Sequence, residues 1–81
     1  MIRQEVMDLL KNMNELFRSG WSVTYIQHQM GKDSMWFKDN MKKAEFKIYE
    51  EMKSHYSFWR KRTPIDKKMP CYFDSVKESM H

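Results

Sequence analysis

Basic side chains are concentrated in the middle of this 81-residue chain, where phosphate binding is the chemistry that they could perform. The whole formal net charge of +4 lies in residues 32–62, because acidic and basic residues cancel on either side of that stretch. The basic residues at its two ends are Lys32, Lys38, Lys42, Lys43, Arg60, Lys61 and Arg62. Cations concentrated on one segment are what binding to nucleic-acid phosphates requires. The alternative is a solvated helix face with pairs four residues apart, such as Asp39 with Lys43.

Histidine, cysteine and glycine do not form a catalytic or metal-binding pattern. The three histidines, His28, His55 and His81, lack the spacing of metal ligands. Cys71 has no base near it in the sequence, so we expect a small buried apolar residue and not a nucleophile. Two glycines cannot build a phosphate-binding glycine loop. We therefore expect no enzyme activity, no metal and no cofactor.

Length and composition predict one small helical domain in a reducing compartment. The chain is 41% hydrophobic and 32% charged, which suits a folded domain, and its two glycines and two prolines disfavour a turn-rich β fold. No apolar run approaches the length of about 18 residues that crosses a membrane. The first residues lack the order of a signal peptide, and a single cysteine fits a reducing environment. We expect a cytoplasmic protein that does not bind membranes.

The periodicity of apolar residues predicts two helices in the first 31 residues. Residues 1–19 repeat apolar side chains at spacings of three and four, which is typical of an amphipathic helix. Its predicted inward residues are Ile2, Val6, Leu9, Leu10, Met13, Leu16 and Phe17. A shorter helix follows Ser22 in the N-cap position and ends at Gly31. The inward residues of this second helix are Val23, Ile26 and Met30.

A third helical region is predicted over about residues 34–60, as one long helix or as two in near-continuous succession. Asp33 or Ser34 can cap its start, and Pro64 lies beyond its end. Its predicted inward residues are Phe37, Met41, Ala44, Ile48, Met52, Tyr56 and Trp59. The far half of this region needs a cover, which is either residues 70–73 of the tail or a second copy of the chain.

These elements predict an all-α protein in two parts. Residues 1–62 form the helical domain, and residues 63–81 form a C-terminal tail that packs on or near the long helix. Within the tail, Ser75 and Glu78 have the spacing of a capping box, which predicts a last short helix.

A spaced set of residues extends from the start of the second helix into the third: Ser22, Val23, Ile26, Met30, Gly31, Asp33, Phe37 and Met41. This set resembles the helix-turn-helix of bacterial and phage DNA-binding regulators. Gly31 matches the turn glycine, and Asp33 matches the polar cap of the recognition helix. Gln27 and Lys32 stand where the family commonly has alanine and an apolar residue. The resemblance implies a three-helix helix-turn-helix core whose third helix is long.

The resemblance also implies double-stranded DNA as the partner and transcriptional regulation as the function. A glycine turn sets two helices at a steep angle, so that the second can enter the major groove. The residues expected to face DNA are Ser22, Thr24, Lys32, Ser34, Met35, Lys38, Lys42 and Lys43. A net charge of +4 is modest, and a homodimer would double the contacts.

The alternative is an adaptor or inhibitor that binds a host replication or transcription protein through the same helical surface. Its candidate contact residues are Met35, Trp36, Tyr56, Trp59, Arg60 and Arg62. Exposed Trp and Met are favoured at the centres of protein interfaces. A buried Trp36, packed under Trp21 or Tyr25, would instead belong to the core. In length and lysine content the chain is similar to small proteins that phages and prophages encode.

Overall fold

The structure, a computed structural model, describes residues 2–74. Four helices follow one another in this range: α1 (Gln4–Arg18), α2 (Val23–Met30), α3 (Ser34–Asn40) and α4 (Lys43–Arg60). Residues 72–74 add a helical turn, and the described part of the chain contains no strand. The predicted all-α class is confirmed. The short helix predicted at Ser75–Glu78 lies outside the described residues.

The ends of α2 and the start of α3 are fixed by the residues that the sequence marks as caps. The Ser22 hydroxyl accepts a hydrogen bond from the backbone N–H of Tyr25 at 3.2 Å. Gly31 ends α2 with a φ of 67°, in the left-handed region that glycine reaches at little cost. Asp33 then accepts from the backbone N–H of Trp36 at 2.8 Å and begins α3.

Two extended residues, Met41 and Lys42, separate α3 from α4, so the region is two helices in close succession. The interruption changes which side of α4 faces the core. Ala44, predicted to point inward, is exposed, and Glu45 occupies the buried position beside it. The Glu45 carboxylate accepts a hydrogen bond from the backbone N–H of Lys42 at 2.8 Å and thereby caps the start of α4.

A single core joins α1, α4, the shorter helices and the tail. Its buried apolar residues are Val6, Leu10, Met13, Phe17, Ile26, Phe37, Met41, Tyr49, Met52, Tyr56, Met69 and Tyr72. On α1 the centre of the apolar stripe lies closer to Leu10 and Phe17 than the sequence pattern predicts, because Leu9 and Leu16 are only half-buried. Rings meet across the core, with Phe37 stacked on Tyr49 at 4.4 Å between centroids.

The tail covers the far half of α4. Met69 and Tyr72 are buried there. The backbone N–H of Tyr72 donates to the hydroxyl of Tyr56 at 3.0 Å, and the hydroxyl of Tyr72 donates to Glu51 at 2.7 Å. The hydroxyl of Tyr56 in turn donates to the buried side chain of Asn14. Burial raises the pKa of Tyr56 to about 12, so this hydroxyl stays neutral while it links α1, α4 and the tail.

An ion pair between the partly exposed Arg3 and the buried Glu45 fixes the start of the described chain on α4. Glu45 has no exposed surface, and its carboxylate accepts two hydrogen bonds from the Arg3 guanidinium, at 2.8 and 3.1 Å. The Arg3 backbone N–H donates a third at 3.0 Å. The same guanidinium donates to the carbonyl of Asn40 at the end of α3. Hydrogen bonds from Arg3 hold the pKa of Glu45 at about 2, against burial, which acts in the opposite direction.

The depressed pKa of Glu45 predicts a loss of stability at acid pH. The folded state holds this carboxylate ionised down to about pH 2, whereas the unfolded chain protonates it near 4.5. Its contribution is therefore complete above pH 4.5 and disappears as the pH falls from 4.5 to about 2. We expect Glu45→Gln to be less stable at neutral pH and to lose less further stability on acidification, as measured by urea unfolding across this range.

Glu50→Gln is the matched control for this measurement. Glu50 lies on the same helix, is half-exposed and pairs with Lys53 at 3.4 Å. Exposed pairs of this kind contribute little to folding. A Glu45→Gln protein whose acid-dependent loss equals that of the unmodified protein would contradict the assignment to Glu45.

Candidate nucleic-acid interface

The connection between α2 and α3 is a tight, fully hydrogen-bonded turn. At Gly31 the chain reverses, and the backbone N–H groups of Gly31 and Lys32 donate to the carbonyls of His28 and Gln27 at 3.1 and 3.0 Å. These bonds satisfy the last carbonyls of α2. The turn therefore fixes the orientation of α3 relative to α2, which recognition of a rigid ligand requires.

Gln27 ties both helices to α4. Its side-chain amide donates to the hydroxyl of Ser34 at 3.1 Å and to the hydroxyl of Tyr49 at 2.9 Å. An alanine, which the resembled family commonly has here, could make neither bond. The hydroxyl of Tyr49 gains a partner through Gln27, while burial raises the pKa of Tyr49. The sequence pattern gave no signal for this role, because one glutamine among polar helix residues has no distinctive spacing.

Most residues predicted to face DNA are exposed on α2, α3 and the segment after α3. The exposed members are Ser22, Thr24, Ser34, Met35, Lys38, Lys42 and Lys43. Met35 leaves 66% of its surface accessible. Two of these residues already form hydrogen bonds within the protein. The Ser22 hydroxyl caps α2, and the Ser34 hydroxyl accepts a hydrogen bond from the Gln27 amide. Lys32 is half-buried.

Trp36 occupies an intermediate position at the edge of this surface. It is half-buried, meets the edge of Phe37 at 5.3 Å, and has the ammonium of Lys32 at 4.9 Å from its ring centroid. This differs from the predicted packing of Trp36 under Trp21 or Tyr25. Those two rings stack on each other at 4.4 Å and are both exposed. Trp21 lies just before the N-cap Ser22 and Tyr25 lies in the first turn of α2, and sequence reasoning missed this contact across the start of the helix.

The lysines of the surface are not neutralised by carboxylates. In residues 2–74 the ion pairs are Arg3 with Glu45 and Lys53 with Glu50. The predicted pair of Asp39 with Lys43 is not among them. Within the described residues, the ammonium groups of Lys38, Lys42 and Lys43 therefore have no carboxylate partner that would compete with an anionic ligand.

The residues of the alternative interface have different environments. Tyr56 is only 3% exposed, so it belongs to the core and cannot serve as a contact in this structure. Trp59 is half-buried. Arg60 is exposed and donates to the carbonyl of Gly20 at 3.2 Å, and Arg62 covers the ring of Phe58 at 3.8 Å.

Candidate groups for other chemistry lie apart from one another. Within residues 2–74 no cluster of three or more His, Cys, Asp or Glu residues could hold a metal ion. Cys71 is half-buried, and its Sγ accepts a hydrogen bond from the amide of Asn14 at 3.4 Å. His55 shares a hydrogen bond with the carbonyl of Pro70. None of the four described helices has the length and apolarity that a bilayer span requires.

Comparison with known proteins identifies no relative: no family model, curated protein or solved structure matches this chain.

Proposed function

We propose that the protein binds double-stranded DNA through α2, the Gly31 turn and α3, and acts as a small helix-turn-helix transcriptional regulator. The observation that supports this best is the exposed side of α3. Ser34, Met35 and Lys38 share one face because they are three and four residues apart, and all three are exposed. On the opposite face Phe37 is buried in the core, which holds α3 in place.

The exposed groups match the two parts of DNA recognition. Lys38, Lys42 and Lys43 supply unpaired cations for phosphates, which determine most of the affinity. Recognition helices contact base edges and thymine methyl groups with their first turn, and Ser34 and Met35 are exposed in the first turn of α3. The hydroxyl of Thr24, near the start of α2, is placed to donate to a phosphate.

Loss of single lysines tests this function. Lys38→Ala and Lys42→Ala each remove one phosphate contact. The slope of log affinity against log salt concentration is negative, and we expect each change to make it less steep by about 0.9. At about 0.1 M salt this corresponds to a loss of roughly tenfold in affinity. Titration of a labelled mixed-sequence duplex at low and moderate salt measures both quantities.

Lys11→Ala is the matched control, because Lys11 is also an exposed helical lysine but lies on α1. We expect it to bind the duplex as the unmodified protein does. Equal losses for Lys11→Ala and Lys38→Ala would show attraction by net charge alone. No duplex binding even at low salt would overturn the proposal.

The exposure of Met35 favours a second candidate function, binding of another protein through the same surface. An apolar side chain that is 66% exposed beside Trp36 is suited to an interface centre. In that case Met35→Ala would abolish partner binding with the fold intact, while Lys38→Ala would mainly slow association. Duplex binding that is weakened in Lys38→Ala supports the DNA function, whereas the absence of duplex binding together with a protein partner that is lost in Met35→Ala supports the second.

A further inference from the structure

A second surface, distant in sequence from α3, combines an apolar pocket with a ring of cations. The pocket lies between the α1–α2 corner and the C-terminal half of α4, and its volume is about 120 Å³. Its floor is apolar and is formed by Phe17, Val23, Tyr56 and Met69. Lys53 and Arg60 line it as well, on the α4 side. We call this pocket with its flanking depressions the basic groove.

Two shallower depressions extend the pocket along the protein surface. The first shares Gly20, Arg60 and Met69 with the pocket and continues to Lys67 on the tail. The second shares Val23, Lys53 and Ser57 with it and continues to Phe58 and Arg62. Because lining residues are shared, the three depressions adjoin one another on the protein surface.

The charges along the basic groove are almost all of one sign. Its cations are Arg18, Lys53, Arg60, Lys61, Arg62 and Lys67. The one acidic residue that lines it, Glu50, already pairs with Lys53 at 3.4 Å. The charge of this groove therefore favours an anionic ligand and disfavours a cationic one.

Arg60 is placed to hold such a ligand over the pocket. Its guanidinium donates one hydrogen bond, to the carbonyl of Gly20 at 3.2 Å, which draws the side chain across the groove. A guanidinium has five N–H donors in a planar arrangement that fits a carboxylate. The remaining donors of Arg60 are available beside an apolar cavity, so an anion and a bulky apolar group can be bound together.

We propose that the basic groove binds an acidic peptide segment of a partner protein, with one bulky apolar side chain in the pocket and flanking carboxylates on Arg60 and its neighbours. A cavity of about 120 Å³ is close to the roughly 150 Å³ that accepts a benzene ring. A leucine or phenylalanine side chain therefore matches it in size. The apolar anchor supplies affinity, and the cations supply orientation and fast association.

Single-stranded nucleic acid, the other common anionic ligand with flat groups, fits the basic groove less well. Bases bind by stacking on open aromatic faces. Trp21 already stacks on Tyr25 at 4.4 Å and Phe58 lies under Arg62 at 3.8 Å, so each ring has at most one face left for a base. A second copy of this chain fits less well too, because it also carries a net charge of +4.

Selection from a random peptide display library against the immobilised full chain tests the proposal. We expect the enriched peptides to combine Asp or Glu with one Leu, Phe or Trp. A synthetic peptide with the enriched sequence should bind about tenfold more weakly to Arg60→Gln, and replacement of its apolar residue by Ala should weaken binding by tenfold or more. Fluorescence anisotropy measures both, and circular dichroism verifies that the Arg60→Gln protein is folded.

Two variants separate this surface from the proposed DNA surface. Lys38→Ala should leave peptide binding unchanged, and Arg60→Gln should leave duplex binding close to that of the unmodified protein. The proposal is overturned if no peptide is enriched, if enrichment shows no excess of Asp and Glu, or if Arg60→Gln binds equally well. It is also overturned if oligothymidylate displaces the peptide and binds more tightly, or if the unmodified protein self-associates through Arg60.

Discussion

Replacement of Phe37 by alanine should remove a large share of the protein's free energy of unfolding. Phe37 has no exposed surface, and its ring stacks on Tyr49 at 4.4 Å and meets the edge of Trp36 at 5.3 Å. Deleting a buried phenylalanine ring costs about 3–5 kcal/mol. A chain of this length has a free energy of unfolding on the order of 4–12 kcal/mol, so the loss is a large share of the total. Urea unfolding followed by far-ultraviolet circular dichroism measures it.

Leu9→Ala is the graded comparison for Phe37→Ala. Both residues are apolar and both were predicted to point inward, but Leu9 is only half-buried on α1. Its loss should therefore cost clearly less than that of Phe37, because less apolar surface returns to water. Equal costs for the two changes would show that the inward side of α1 is centred on Leu9 after all.

Local signals in the sequence were sufficient to locate the start and end of α2 and the start of α3, but not the break between α3 and α4. Ser22, Gly31 and Asp33 act at short range, through hydrogen bonds to residues within one turn or through backbone conformation. Such effects depend on neighbouring residues only, so they can be predicted without knowledge of the fold. Pro64 likewise lies beyond the end of α4, which stops at Arg60.

Long-range pairing was beyond the reach of those signals. Glu45 can be buried because Arg3, 42 residues away in the sequence, donates hydrogen bonds to its carboxylate. The pattern of apolar residues instead predicts that Ala44 is the buried residue. The buried amide of Asn14 likewise depends on Tyr56 and Cys71. A polar residue becomes a core residue only when its partner is in place, and the partner is set by the fold.

The candidate DNA surface was predictable where exposure alone matters. Lys38 and Lys42 are exposed because Phe37 and Met41 take the inward positions around them, whereas the sequence left open whether Met35 is buried or exposed. The environment of Trp36 was not predictable, because its half-buried state depends on where Lys32 and Phe37 lie. The basic groove was also invisible to periodicity, since it joins residues of α1, α2, α4 and the tail.

Tyr72→Ala should release the tail and destabilise the whole protein. The ring of Tyr72 is buried on α4, and its hydroxyl donates to Glu51 at 2.7 Å. Loss of a buried aromatic ring costs about 3–5 kcal/mol, and the hydrogen bond to Glu51 is lost with it. Cys71, the preceding residue, reports on the tail, because its half-buried thiol accepts a hydrogen bond from Asn14 at 3.4 Å in the folded state. We expect the Tyr72→Ala thiol to react with a disulfide reagent at least about tenfold faster, since each 1.4 kcal/mol lost multiplies the open population by about ten.

Tyr25→Ala separates release of the tail from a general effect of removing an aromatic residue. Tyr25 is exposed on α2 and, among the described rings, stacks only on Trp21. Its loss should therefore change neither the free energy of unfolding nor the rate at which the Cys71 thiol reacts with the disulfide reagent appreciably. Tyr72→Phe gives the intermediate case, because it keeps the buried ring and removes the bond to Glu51. We expect its unfolding free energy and its thiol rate to lie between those of the unmodified protein and Tyr72→Ala. If Tyr72→Ala changes neither the free energy of unfolding nor the reaction rate of the Cys71 thiol, the packing of Tyr72 on α4 does not stabilise the tail.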